Sequence, residues 1–242
     1  MKILLTGSEG FIGKNLTAYL KDKHQIIPLD KINGEDLINC NLDYDVDMVI
    51  HLAGLSGVRD SLNRPTDYWT TNVIGTQRLF ENYKDVRIIY ASSSTAHEPW
   101  KNPYAMSKYS MEQLNHNNAV GMRFTTVYGP GARVDMLIPK ILRNDVQYLN
   151  VNHIRDFIHV NDIVSAVEIM MTNTFRGVVD VGTGISNKLV DIADYFKIDY
   201  KSMIGGETER LDNTADTSIL NKFGWRAKIN LYNYIEENKN VN

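Results

Sequence analysis

Apolar residues along this chain follow two rhythms, and the rhythms alternate. Short runs that are apolar nearly throughout lie at KILLT (2–6), QIIPL (25–29), MVIHLA (48–53), VRIIYAS (86–92), MRFTTV (122–127) and VVDV (178–181). Runs of that length without polar alternation predict strands covered on both faces. Between them the spacing is helical: Phe11, Ile12, Leu16, Tyr19 and Leu20 share one face. Further helices are predicted from Thr66 to Tyr83 and from Tyr104 to Asn117. Buried strands, each followed by a helix, imply an α/β fold with a parallel sheet between two helical layers. After Asp180 the chain turns more polar, with short helices predicted near Lys188–Phe196, Ala215–Phe223 and Leu231–Glu237.

The turn after the first run reads TGSEGFIG, with glycines at Gly7, Gly10 and Gly13. A helix N-terminus offers free N–H groups and a positive dipole end, and glycines let a phosphate approach the backbone. The spacing is G-x-x-G-x-x-G, not the commoner G-x-G-x-x-G, so alone it also describes a plain strand–helix turn. Asp30 strengthens the cradle reading. It closes the second strand run, where a carboxylate can hold the adenosine ribose hydroxyls and repel a 2′-phosphate. NAD is therefore expected over NADP, with the neighbouring Lys31 tempering that preference. The fold expected is a Rossmann-type doubly wound parallel sheet with a small C-terminal substrate-binding lobe. Residues 1–182 would form the NAD-binding domain, 131–151 an excursion into the lobe, and 183–242 the lobe itself.

Composition narrows the class. The chain has 242 residues, 43% hydrophobic and 23% charged, which suits one large domain or a domain carrying a small lobe. The net charge is -3 and no basic stripe is present, so no nucleic-acid partner is expected. Cys40 is the only cysteine, which excludes an internal disulfide. The six histidines are scattered, and no metal site is expected. His159 and Asp162 stand three apart like helix-borne ligands, but Asn161–Asp162 reads better as a helix cap. MKILL is too short for a signal peptide and no run reaches membrane-spanning length. A cytoplasmic protein without a membrane partner is expected.

Two further stretches carry chemistry: YASSST (90–95) at a strand end and NPYAMSK (102–108) at a helix start. Tyr104 and Lys108 stand four apart, on one face of the helix. A tyrosine with its ordinary pKa of about 10 is a poor base at neutral pH. A nearby ammonium and a positively charged nicotinamide favour the phenolate. A serine from the adjacent strand end would bridge Tyr104 and a substrate hydroxyl. Y-x-x-x-K alone also describes an exposed helix pair; following a glycine cradle and a serine-bearing strand end, it reads as a catalytic set.

With these segments together, the chain resembles the extended short-chain dehydrogenase/reductases, specifically the NAD-dependent nucleotide-sugar epimerase/dehydratase family. The resemblance runs through TGSEGFIG, Asp30, HLAG (51–54), Ser61-x-x-x-Pro65, NVIGT (72–76), YASSS, YAMSK, VYGPG (127–131), RDFIHVND (155–162) and VGTG (181–184). It implies Ser93 as catalytic serine, Tyr104 as base and Lys108 as cofactor lysine. It places Gly7, Gly10, Phe11, Ile12, Gly13, Asp30, Leu52, Ala53 and Asn72 around NAD, with Asn41–Leu42 in the usual Asp–Leu slot beside adenine. A nucleotide-diphosphate sugar is the implied substrate and a homodimer, paired through the helices near 66–83 and 104–117, the implied assembly. Arg155 and Arg210 are implied phosphate ligands.

Family members that dehydrate carry an Asp–Glu pair after the catalytic serine or threonine. Here Ser94 and Thr95 stand in those places, so the resemblance favours epimerisation at C4 through a 4-keto sugar, with Ser93 and Ser94 at the substrate. The segment RFTTVYGPGARVDM (123–136) further resembles UDP-glucuronate 4-epimerases, in which Thr126 and Arg133 would face the uronic carboxylate. A planar guanidinium grips a carboxylate by two parallel bonds, which suits Arg133. Alternatively Thr126 is a plain strand residue and Arg133 a diphosphate or surface arginine. His97–Glu98 replaces the usual Tyr–Gly. The segments before NPYAMSK, after Tyr109 and from Arg133 to Arg155 are short for the family. Either the lobe holds its substrate loosely or dimer contacts complete it. A nucleotide-sugar reductase and a non-catalytic dinucleotide-binding protein are the competing functions.

Overall fold

A computed structural model describes residues 1–239. The first half contains β1 (Lys2–Thr6), α1 (Phe11–Leu20), β2 (Gln25–Leu29), β3 (Met48–His51), α2 (Val58–Asn63), α3 (Pro65–Tyr68), a π-helical turn (Trp69–Ile74), α4 (Gly75–Asn82), β4 (Arg87–Ser93) and α5 (Pro103–Gln113). There follow β5 (Ala119–Phe124), β6 (Thr126–Tyr128), α6 (Leu137–Leu142), β7 (Tyr148–Asn150), β8 (Ile154–Arg155), β9 (Phe157–His159), α7 (Val160–Thr172) and β10 (Gly177–Val181). The chain ends with β11 (Asn187–Lys188), α8 (Leu189–Tyr195), β12 (Lys201–Met203), α9 (Ser218–Lys222) and α10 (Leu231–Asn238). No helix among the described residues is long and apolar enough to cross a membrane.

Six parallel strands form the central sheet in the order β10-β5-β4-β3-β1-β2. Successive side chains of a strand point to opposite faces, and here both faces are dry. Ile3 and Leu5 pack with Leu16, Leu20, Ile163 and Val167 under α1 and α7, whereas Leu4 packs with Val49, Leu79, Phe80 and Met111 under α4 and α5. This is the Rossmann-type doubly wound sheet that the apolar runs predict. The chain steps from β1 outward to β2, then crosses back to β3, so a crevice opens beyond the carboxyl ends of β1 and β3.

Three elements differ from expectation. The helix predicted over 66–83 forms as one run over 65–82, but with a π turn between α3 and α4, and a separate short helix, α2, precedes it. Pro65 disfavours a helical residue before it, and Arg64 accordingly sits at φ -132, ψ 48, closing α2. From the first turn of α4, the Thr76 hydroxyl donates to the carbonyl of Asn72 in the π turn. The run MRFTTV divides at Thr125, whose N–H reaches Val181, while the Thr126 N–H turns to Asp156 O and β6 pairs with β9. At the start of α7 the cap is the His159 ring, which accepts the Asn161 N–H; Asp162 instead accepts the N–H groups of Lys228 and Ile229.

A third apolar cluster lies beyond the sheet. Ile138, Ile141, Val146 and Leu149 meet Leu189, Ile192, Leu231 and Ile235 there, with Tyr128 and Phe157 from the β6–β9 pair. Leu220 and Trp225 belong to the core beneath the sheet instead.

Candidate active site

A cavity of about 660 Å³ opens above the crevice. Its floor at one end is the β1–α1 turn. Gly7 has φ +71, a left-handed conformation that disfavours a side chain. A Cβ on Gly7 would also strike the Leu52–Ala53 backbone, and one on Gly13 would overlap the Gly7 carbonyl oxygen. The helix thus starts hard against the turn. No side chain caps Gly10 at the helix N-terminus, which leaves first-turn N–H groups for a ligand. Gly7, Gly10, Phe11, Ile12, Gly13 and Leu52 all line this end. The residues present fit a dinucleotide pyrophosphate.

Of the other predicted cofactor residues, Asp30, Asn41, Leu42, Ala53 and Asn72 stand outside the cavity wall. Asp30 accepts the Glu9 N–H at 2.9 Å and the Ile32 N–H at 3.0 Å, tying the glycine turn to the end of β2. Asn41 caps its own turn through Asp43, and Leu42 is buried in the core with its carbonyl bound to the Tyr83 hydroxyl. Ala53 gives its N–H to Thr6. Asn72 is fully buried: its side chain bonds both backbone groups of Leu55 and donates to Ser107 on α5.

Asn72 belongs to a network that the sequence pattern does not reveal. The Thr76 hydroxyl gives its proton to Asn72 O, so it accepts from His51 Nε2–H at 2.9 Å. His51 Nδ1 is then the acceptor for Thr6 Oγ1–H at 2.7 Å, and Thr6 Oγ1 accepts the Ala53 N–H. Burial, with the nearby Lys108 charge, pushes His51 down to about 3, so the ring is neutral. This neutral relay joins β1, β3, the π turn and α5.

Ser93, Tyr104 and Lys108 meet at the middle of the cavity. Asn102 accepts the Ala105 N–H and Pro103 follows at the first helical position, so α5 begins in a defined frame. Lys108 is buried and donates to Ala91 O at 2.8 Å; burial lowers its ammonium to about 8. Ser93 Oγ accepts from both the N–H and the hydroxyl of Thr95, leaving its own proton for Tyr104. Burial raises the Tyr104 phenol, while the Ser93 hydrogen bond and the Arg133 charge pull it back down. Thr95 is thus a supporting residue that spacing alone did not mark. Behind the strand end, Ser92 donates to Glu112, which also pairs with Arg123.

The other end is cationic and assembled from loops. Ser94, Thr126, Arg133, Arg155 and Arg210 line the cavity, with Ser56, Glu209 and Asn213 added. A second cavity of about 650 Å³ continues past Ser56, Thr126, Arg133, Arg155 and Glu209 toward Arg59, Lys140 and Tyr148. Arg133 is half exposed and reaches Ser56 Oγ at 3.3 Å and Asp135 at 3.4 Å. Arg155 donates to the carbonyls of Ile154 and Leu211 and to His153, and lies 3.7 Å from Glu209. Arg210 donates to Ser94 O at 2.6 Å, holding the serine turn. Asn213 and Glu209 come from an irregular segment with no periodicity, so no sequence signal marks them.

This chain is similar to known proteins. Residues 3–182 match the model of the NAD dependent epimerase/dehydratase family. Protein CapI from Staphylococcus aureus is 30% identical over 227 residues, covering 69% of this chain and 68% of that protein. A putative UDP-glucose 4-epimerase from Methanocaldococcus jannaschii is 27% identical, with 95% and 94% covered. The solved structure of MoeE5 in complex with UDP-glucuronic acid and NAD superposes with a TM-score of 0.85 at 26% identity, covering 99% and 98% of the two chains. UDP-glucuronic acid 4-epimerase from Bacillus cereus shares the fold, with a TM-score of 0.87 at 24% identity and the same coverage. With most of its length matched and the glycine turn, serine, tyrosine and lysine gathered in one cavity, this chain belongs to the NAD-dependent epimerase/dehydratase family of nucleotide-sugar enzymes.

Proposed function

We propose that the protein epimerises a nucleotide-diphosphate sugar at C4, with a UDP-hexuronic acid as the favoured substrate. The observation that carries this is the Ser93–Tyr104–Lys108 set midway between a glycine cradle and a cationic end of the same cavity. When bound, NAD supplies a reversible hydride acceptor for the sugar carbon. Tyr104 removes the 4-hydroxyl proton and later returns it. Ser93, its lone pairs occupied by Thr95, donates toward the same oxygens and keeps them aligned. The cavity would have to let a 4-keto sugar turn so that either face could meet the cofactor side. Lys108, buried beside the pair, holds the cofactor side of the wall.

Elimination of water is disfavoured by chemistry. Ser94 and Thr95 offer hydroxyls where acid–base carboxylates would be required, and Thr95 is already bound to Ser93. Thr126 and Arg133 would face the sugar C6 carboxylate; Arg155 and Arg210 would favour the diphosphate by charge. We assign NAD binding to residues 1–182 and a substrate lobe to 183–242 with the 131–151 excursion, although Leu220 and Trp225 pack beneath the sheet and 240–242 lie outside the described residues. We also propose a homodimer, since Trp69 and Met106 are exposed apolar residues on the helices expected to pair. Light scattering showing a monomer at micromolar concentration would remove that assembly.

The purified protein, given NAD in catalytic amount, should interconvert UDP-glucuronate and its C4 epimer. Stoichiometric consumption of cofactor would mean a net oxidoreductase instead. Arg133→Ala should reduce kcat/KM for the uronate by roughly 10–100-fold, the loss of a charge-assisted bond, and spare UDP-glucose. Equal losses for both sugars would move Arg133 to the diphosphate.

A further inference from the structure

Thr126 carries a hydrogen-bond direction that follows from its neighbours. Asp156 is wholly buried, and its carboxylate accepts the N–H groups of Thr183, Gly184 and Ala215. That fixes the Asp156 peptide, whose own N–H meets Asn213 Oδ1 at 2.8 Å. A backbone N–H can only donate, so the amide of Asn213 must present oxygen to Asp156 and nitrogen to the other side. The other side is Thr126 Oγ1, 3.0 Å from Asn213 Nδ2. The amide therefore fills a lone pair of the threonine hydroxyl and leaves the hydroxyl proton uncommitted. Among the described residues Thr126 Oγ1 makes no second hydrogen bond.

We propose that Asn213 is a positioning residue that sets the Thr126 hydroxyl as a donor into the cavity, and so selects a sugar whose C6 group is a carboxylate. Both residues line the cavity together with Arg133. A donor hydroxyl beside a guanidinium matches an acceptor-only group, and the bond it makes to a carboxylate is charge-assisted. A neutral C6 hydroxyl accepts the same proton in an ordinary bond and leaves its own proton to find a partner. This assignment rests on the reading that the cavity holds a nucleotide sugar.

Asn213→Asp tests the direction with almost no change of shape. The new carboxylate still accepts the Asp156 N–H, but it now requires Thr126 to donate to it. The threonine lone pairs then face the ligand. In NAD-loaded protein, calorimetric Kd values for UDP-glucuronate and UDP-glucose should shift in ratio by about tenfold or more toward UDP-glucose. Thr126→Val separates hydroxyl direction from added charge: in that background the same substitution should move the ratio far less. An equal shift in both backgrounds overturns the proposal, because Asn213 would then act by charge alone. So does an unchanged ratio in Asn213→Asp.

If the parent prefers UDP-glucose, the uronate reading fails, while Asn213→Asp must still move the ratio further toward UDP-glucose for the positioning role to stand. Should Asn213→Asp not fold, Thr126→Ser must keep the parent's ratio and Thr126→Val must lose it. A Thr126→Val ratio equal to the parent's overturns the role. Binding of neither sugar by the parent overturns both readings.

Discussion

The two ends of the cavity are made by opposite methods. At the glycine end, most of the wall comes from one short turn, and its shape is enforced by backbone contact: Gly13 against Gly7, and Gly7 against Ala53. At the substrate end, segments far apart in the chain supply the wall. Thr126 and Asn213 are 87 residues apart, Arg210 and Ser94 are 116 apart, and Arg133 and Ser56 are 77 apart. Backbone geometry makes the first end tolerant of most side-chain exchanges but not of a Cβ. Side-chain bonds make the second end easy to retune one residue at a time. A stable dinucleotide cradle combined with a loop-built substrate end suits a fold that changes its sugar without changing its redox chemistry.

The middle of the cavity, where both ends meet, should give the largest effect. Tyr104→Phe removes only the proton acceptor, so NAD binding should persist while turnover falls about 10²–10⁴-fold. Near-normal turnover would detach the chemistry from this wall altogether. Next in size is the relay below the cradle. His51 is held neutral, with its pKa well below the ordinary 6.5, at about 3. The unfolded chain therefore binds the extra proton first, and folding stability is full above about pH 6.5 and lost as pH falls toward 3. The slope should be roughly 1.4 kcal/mol per pH unit, about 2 kcal/mol by pH 5. Urea midpoints at pH 7 and pH 5 measure it. His51→Gln, which keeps a donor and an acceptor but cannot titrate, should flatten that part of the profile.

A smaller effect belongs to Asp30. Its carboxylate ties Glu9 and Ile32 by their N–H groups. Asp30→Ala should weaken NAD and narrow the gap between NAD and NADP, as read by fluorescence titration. Equal affinity for both cofactors in the parent would remove Asp30 as the selector. The smallest effect crosses from one end to the other. The Arg133 charge lowers the Tyr104 phenol, against the larger raising effect of burial. Arg133→Ala should shift the rising limb of the pH–rate profile upward, measured on UDP-glucose, where C6 recognition does not interfere. A downward shift would show that Arg133 does not act on the base.

Much of this architecture was legible in the residues themselves, for reasons that are local. KILLT and QIIPL became β1 and β2 with no change of boundary: β1 is buried inside the sheet, and β2, whose Pro28 has no N–H to donate, lies at its edge. The glycine turn was legible because close backbone approach excludes every other residue type. Tyr104 and Lys108 were legible because helical spacing places them on one face. Long-range partnership was not. Nothing in the chain's periodicity said that the second helix would carry a π turn, that Thr125 would turn the strand toward β9, or that Asn72 would brace Leu55 rather than line the cavity. Those outcomes depend on which carbonyls and amides remain unpaired once the sheet has formed, and burial then penalises any left without a partner. Sequence alone therefore determined the sheet, the glycine turn and the helical spacing that puts Tyr104 and Lys108 on one cavity wall. Tertiary structure decided which way the Thr126 hydroxyl points, because only folding brings the Asp156 N–H to Asn213 and Asn213 to Thr126.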